Sequence, residues 1–337
     1  MNDAMKISWK PVWFDSMGAK SSCTLVKTPD VRVLIDPGVA EMQPSFPASP
    51  EQKRDWVIEA YDSILKASKE AEVITISHYH YDHFVDFDPE LYKNKLILAK
   101  NPNQYINDSQ RKRAETFYHH FAEELGEAGG MRERAAKKYH PPQIQDRRDF
   151  GDYAERRKEL MEKGKRWFND RAKKWNSYPE ILESPRIKWI DGKEFNFGKT
   201  RISFTSPLFH GIEFSRVGWV CSILIEYEGE KFIHSSDLDG PIIEAYADWI
   251  IQQNPDSLIL DGPMTYMLGY MLNRINFERC LENGSRIASS INGTIIYDHH
   301  LTREPRFRER TERVWRSAKG KLLTAAEFLG GKPVVLG

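Results

Sequence analysis

The chain has 337 residues, of which 40% are hydrophobic and 29% charged, the balance of a globular protein with a heavily charged surface. Its 49 Lys and Arg are matched by 49 Asp and Glu, so it lacks the basic excess that marks a dedicated nucleic-acid binder. No apolar run approaches a membrane span, the first residues lack an apolar signal core, and Cys23, Cys221 and Cys280 stand apart without a Cys-x-x-Cys spacing, a pattern that predicts a reduced, cytoplasmic setting.

In chain order, VRVLI at 31–35 reads as a strand ending at Asp36-Pro37-Gly38. Residues 50–70 read as a helix. Ser49 is a good N-cap, Pro50 suits the first helical position, and Gln52 completes a capping box. Trp56, Val57, Ala60, Tyr61, Ile64 and Leu65 recur at helical spacing and give it one buried face. VITI at 73–76 is a short buried strand, and His78-Tyr79-His80-Tyr81-Asp82-His83 follows it directly. Core packing does not ask for three imidazoles and a carboxylate in six residues. They are the ligand types of zinc or a similar divalent transition metal.

From 101 to 182 the composition shifts to Arg, Lys, Glu and aromatic residues. RKRAETFYHHFAEELGEA and DYAERRKELMEKGKRWFNDRAKKW read as amphipathic helices, and Gly129-Gly130 and Pro141-Pro142 break the region up. It is expected to be a helical insertion or lid within a single domain spanning 1–337. His119, His120 and His140 in it read as surface residues.

Strands return after about 186: RISFTS (201–206), WVCSILIEY (219–227), KFIHSS (231–236), SLIL (257–260) and GTIIY (293–297). Glu228-Gly229-Glu230 turns WVCSILIEY and KFIHSS into a hairpin. Helices are expected at 241–253, 273–290 and 304–318. Two strand-rich halves flanked by helices fit two sheets packed face to face with helices outside. His234 reads as a packed strand residue and Asp261-Gly262-Pro263 as a turn. The six arginines from Arg303 to Arg316 read as a solvated helix with Glu309–Arg313 and Glu312–Arg316 pairs, the sharper alternative being a phosphate or nucleic-acid clamp.

Further candidate ligands lie just beyond apolar strands, where an open site can be built on a rigid scaffold. His210 follows RISFTSPLF, Asp237 follows KFIHSS, and His299 and His300 follow GTIIYD. With Asp36 and the histidine run, their order and approximate spacing over 36–300 resemble the metallo-β-lactamase fold superfamily. The closest resemblance is to its uncharacterised archaeal hydrolases, where an LIDPG strand end and a DHHL segment also occur.

The resemblance implies an α/β fold, the αβ/βα four-layer sandwich, with two metals at the edge between the sheets. It assigns His78, His80 and His210 to the first ion, Asp82, His83 and His299 to the second, and Asp237 to both. Asp36 would bind no metal but orient the histidine loop. The His299-x-x-x-Arg303 spacing resembles transfer-RNA 3′-processing nucleases and favours His299 over His300 as the last ligand. Asp82 and His300 are the residues assigned to catalysis, with His300 as proton donor and Tyr266 a more distant candidate. The expected function is a hydrolase in which two divalent ions (Zn2+ first, Mn2+ or Fe2+ also fitting) activate water. Its substrate would be a phosphodiester, a small molecule or nucleotide, with RNA included. The alternatives are a lactonase, an iron-dependent redox protein and a non-catalytic binding module. His80 stands where the flavodiiron branch carries an acid, which argues against the redox reading. A homo-oligomer is compatible with the sequence.

Overall fold

The computed structural model describes residues 6–126, 130–142, 144 and 148–337. Of the features read from sequence, Glu127, Ala128 and Gly129 lie outside them. Strands β1 (Ser8–Phe14), β2 (Ser22–Lys27) and β3 (Arg32–Ile35) form an antiparallel meander. Helix α1 (Pro50–Ser68) then crosses to β4 (Val73–Ile76), parallel to β3. Its start is capped as read: Pro50 occupies the first turn and the Ser49 side chain accepts the Gln52 amide, although only this half of the capping box forms. Short α2 (Pro89–Tyr92) leads to β5 (Leu96–Ala99), parallel to β4.

The next strand of this sheet arrives only after a long excursion: α3 (Asp108–Leu125), β6 (Met131–Arg132), α4 (Ala154–Ser177) and β7 (Glu180–Ile181), with β6 and β7 paired. Strand β8 (Ile187–Trp189) then closes a six-stranded sheet in the order β1-β2-β3-β4-β5-β8.

The second sheet follows. Strands β9 (Glu194–Phe197) and β10 (Thr200–Phe204) form a hairpin, and β11 (Leu208–Phe209) pairs with β12 (Trp219–Val220) apart from the main sheet. Strands β13 (Ile223–Tyr227) and β14 (Glu230–His234) form the hairpin expected around Glu228-Gly229. Three parallel additions complete it, namely α5 (Glu244–Gln253) to β15 (Ser257–Leu260), α6 (Arg274–Ser290) to β16 (Thr294–Tyr297), and α7 (Phe307–Arg310) with α8 (Glu312–Ser317) to β17 (Lys321–Leu323). The order is β17-β16-β15-β14-β13-β10-β9, and α9 (Ala325–Phe328) follows β17.

Strand alternation explains the layers. Val33, Ile35 and Val73 of one sheet share a buried cluster with Ile223, Ile225, Ile259 and Ile296 of the other, and this is the seam between the sheets. Their neighbours Leu34, Ile74, Leu258 and Ile295 point the opposite way, into a second cluster that includes Ile64 of α1, Ala247 and Ile250 of α5 and Ile287 of α6. Both faces of each parallel strand are therefore buried, and these strands read as continuous apolar runs. The architecture is the expected helix–sheet–sheet–helix sandwich.

The parallel strands also place the site. Asp36 follows β3, the histidine run follows β4, Asp237 follows β14, Asp261 follows β15 and His299 follows β16. All lie at carboxyl ends of strands, where an α/β sheet leaves its crevice.

Candidate metal centre

His78, His80, His210 and Asp237 offer ligand atoms within 4.8 Å of one another, as do Asp82, His83 and His299. Asp237 stands between the two groups. Its Oδ2 lies 3.3 Å from His78 Nε2 and 3.1 Å from His210 Nε2, and its Oδ1 lies 3.0 Å from His83 Nε2 and 3.6 Å from His299 Nε2. Asp82 Oδ2 completes the second group, 3.7 Å from His299 Nε2. These groups bring all seven sequence-derived ligand candidates together, and Asp237, His299 and His300 also offer atoms within 4.8 Å of one another.

The outward ring nitrogens are held from behind, and this turns the other nitrogens inward. His83 Nδ1 is 2.8 Å from Asp36 Oδ2, and Asp36 Oδ1 also accepts the Ser77 amide at 2.7 Å. Asp36 therefore sits where an orienting carboxylate is needed. His78 Nδ1 meets Ser77 Oγ at 3.1 Å, and His80 Nε2 meets the Gln110 side-chain amide at 3.1 Å. Gly38 lets the chain after Asp36 pass under the histidine loop, since a Cβ there would lie 2.2 Å from the His83 amide nitrogen.

The inward atoms converge on one another. His83 Nε2 faces His299 Nε2 at 3.2 Å, and His78 Nε2 faces His80 Nδ1 at 3.1 Å. Both Asp237 oxygens are buried without a hydrogen-bond partner. A buried carboxylate with no donors is costly unless a cation compensates it. Imidazole nitrogens, a bridging carboxylate and inward lone pairs are a donor set that fits divalent transition-metal ions.

Charge is balanced to match. Burial opposes ionisation of Asp237, but the imidazoles of His83, His300 and His299 outweigh it and hold the carboxyl well below its usual range. Burial alone would lower His210, yet Asp237 and Asp239 lift it to about 10. Burial and the neighbouring His83 push His78 down to about 4.

Four residues at the site carry roles that the sequence reading did not give them. Asp15, just after β1, accepts from the Ser21 and His300 amides, lies 3.0 Å from His299 Nδ1 and pairs with Arg303. It does for His299 what Asp36 does for His83. A carboxylate directly after an apolar strand was the available signal. Asp239 lies between His210 and His300, with Oδ2 3.7 Å from His210 Nδ1 and Oδ1 3.5 Å from His300 Nδ1. Asp261 is more than a turn residue: it is buried, accepts the Asp239 amide at 2.6 Å, and lies 3.7 Å from His300 Nδ1.

Arg303 departs furthest from the expected solvated helix. It is 5% exposed, with Nη2 3.2 Å from Asp82 Oδ2 and 3.3 Å from His299 Nε2, and Nη1 3.3 Å from the Tyr266 hydroxyl. Of the two ion pairs anticipated downstream, Glu312–Arg316 forms at 2.6 Å. Glu309–Arg313 does not, because the helix breaks at Thr311. Glu309 pairs with Arg306 and Arg313 pairs with Glu278. His119, His120 and His140 are exposed, and His234 is buried with Nε2 2.9 Å from the Ser22 carbonyl, as anticipated.

A family model described as the metallo-beta-lactamase superfamily matches residues 18–266. The chain belongs to that superfamily. Within it, the chain is similar to the UPF0282 protein of Methanopyrus kandleri, 33% identical over 334 residues that cover 95% of this chain and 93% of the relative. It is 31% identical over 338 residues to the UPF0282 protein of Methanocaldococcus jannaschii, covering 97% and 92%. Among solved structures it is similar to the metallo-beta-lactamase fold protein YhfI from Bacillus subtilis, with a TM-score of 0.44 and 13% identity over 94% of this chain and 95% of that one. The histidine run, His210 and Asp237 fall inside the superfamily match, whereas His299, His300 and Arg303 lie beyond its end. No helix among the described residues is long and apolar enough to cross a membrane.

Proposed function

We propose that this metallo-beta-lactamase-superfamily chain is a hydrolase with two divalent ions, zinc first, acting on a phosphodiester. The observation that carries the reading is Asp237, whose two buried, unpartnered oxygens face separate histidine groups. His78, His80 and His210 would hold one ion, Asp82, His83 and His299 the other, and Asp237 both. Bound there, the ions supply Lewis acidity and bring the pKa of water toward neutrality.

The chain's own residues supply the rest. Asp15 and Asp36 hold the rings of His299 and His83 in place. Arg303 sets a fixed positive charge beside Asp82 and the reacting centre, which suits an anionic phosphodiester. His300 faces the cluster with Nε2 3.8 Å from Asp237 Oδ2. Behind it, burial and the charges of Asp237 and Asp239 push the Asp261 carboxyl well above its usual range. As the leaving oxygen takes the His300 Nε2 proton, the ring would recover one from solvent; burial and the charges of His299 and Arg303 hold His300 well below its usual range, so it gives the proton up readily. A lactone is the second reading, favoured by the apolar wall of the cleft that opens from His210.

Metal analysis of the purified chain tests the proposal, together with a panel of phosphodiesters, lactones and esters. About two zinc, manganese or iron ions per chain and turnover on the panel are expected, with both lost in Asp237→Ala. Full activity in that variant, or iron with oxygen consumption and no hydrolysis, would overturn it.

A further inference from the structure

A cleft of about 410 Å³ opens from His210 and Asp239. One wall is α4 of the segment between β5 and β8, and the other is formed by residues 264–272. Its floor is the loop after His210. Apart from the two site residues the surface is mainly apolar, with Trp167, Ile212, Phe214, Met264 and Met271 prominent. Two cations, Lys163 and Arg216, also line it, and both are exposed without an ion pair among the described residues.

The wall is built rather than incidental. Phe214 takes a left-handed backbone, φ 57°, which is strained for an aromatic residue and persists where its surroundings impose it. Gly164 of α4 makes room for it, since a Cβ at 164 would come within 2.6 Å of the Phe214 side chain. A glycine inside a helix is less stable than alanine, so its position under Phe214 has a packing reason. Trp167 stacks flat on Trp219, centroids 5.6 Å apart and planes 7° apart, which fixes α4 over the cleft. Glu213 is pinned by Arg157 of α4 and Arg279 of α6. At the rim, Ile212 is 37% and Met271 57% exposed, apolar surface left open beside a polar centre. Methionine side chains adapt to varied apolar shapes.

We infer that this cleft receives an apolar arm of the substrate: a small anionic ester or phosphoester whose charged centre sits at the histidine cluster, with Lys163 and Arg216 drawing it in. This rests on the hydrolase reading and narrows its substrate class.

Binding can be read without turnover. The metal-loaded full chain is titrated by calorimetry with straight-chain alkylphosphonates from methyl to octyl. Each methylene that enters the cleft is expected to tighten binding about two- to fourfold. Ile212→Ser combined with Met271→Ser, both at exposed positions, should weaken octylphosphonate at least about tenfold and leave methylphosphonate unchanged. Lys163→Ala combined with Arg216→Ala should weaken every chain length alike. Affinity independent of chain length, no binding of any phosphonate, or equal losses for methyl and octyl in the serine variant would each overturn the inference. A rising series on a protein that hydrolyses nothing would keep the cleft assignment and remove the hydrolase reading instead.

Discussion

His300 adopts φ 63°, a left-handed backbone in a residue with a branched ring, one step beyond His299. Asp36, Ser236 and Asp239 share this conformation, and all four sit at strand ends around the cluster. Such strain collects where the chain must aim a side chain rather than continue a strand. The consequence at His300 is that two adjacent histidines diverge: His299 Nδ1 turns back to Asp15, and His300 Nδ1 turns to Asp239 and Asp261. The two therefore separate in experiment. His300→Ala is expected to keep its metal content and its activity on good leaving groups such as nitrophenolate. On alkoxide leaving groups turnover should fall by about 10²–10⁴, the usual worth of a positioned acid. Metal analysis beside a leaving-group series checks this, and loss of metal in the variant would make His300 a ligand.

At the scale of elements, a buried charge network ties α4 to α5 and α6. Glu213 pairs with Arg157 of α4 and Arg279 of α6, and Arg279 also pairs with Glu244 at the start of α5. Phe150 lies under both guanidinium groups. Burial alone would raise the Glu213 carboxyl, but Arg279 and Arg157 dominate and bring it down to about 2. Removing one partner of a buried pair leaves the others uncompensated, so Glu213→Gln should cost about 3–5 kcal/mol. The pH dependence has a definite sign. A depressed carboxyl stabilises fully above its unfolded value of 4.5 and loses that contribution as pH falls toward about 2. The stability gap between wild type and variant, measured by urea denaturation, should therefore be widest above pH 5 and narrow below it. A gap that stays constant between pH 5 and pH 3 would show that the network does not act through the ionised carboxylate.

Elements were legible where sequence pattern and backbone pairing agree. SLIL is β15 to the residue, and α1 begins where Ser49 and Pro50 place it. WVCSILIEY looked like one strand because its apolarity is unbroken. It divides because the Cys221 amide turns to the Ser77 carbonyl of the histidine loop while Ile223 onward pairs with β10 and β14. Hydrophobic period carries no mark of such a change of partner. The stretch 304–318 divides at Thr311, whose hydroxyl donates back to the Phe307 carbonyl. The histidine run declared itself because its residue types are rare in that density. Asp15, Asp239 and Asp261 did not, because a single acid at a strand end also reads as a cap or turn.

For the molecule as a whole, equal numbers of acids and bases leave open whether a local basic surface exists. The structure accounts for the arginine-rich tail one residue at a time. Arg303 is turned inward to Asp15 and Asp82. Arg306 pairs with Glu309, Arg308 with Glu327, Arg310 with Glu304, Arg313 with Glu278 and Arg316 with Glu312. Exposed pairs of this kind contribute little to stability, but each one neutralises a charge that a phosphate backbone would need. Nonspecific affinity for RNA comes from phosphates contacted by uncompensated cations, and its logarithm falls linearly with that of salt concentration. A tail whose arginines are all matched should add almost nothing to such a term. At about 50 mM salt, a single-stranded RNA of about twenty nucleotides is expected to bind more weakly than about 10⁻⁴ M, the weak end of nonspecific affinities. Fluorescence anisotropy over a salt series measures this directly. Micromolar binding that falls steeply with salt would show that a basic surface outside the tail carries the strand, and would return a polynucleotide to the list of substrates that reach Arg303 and the histidine cluster.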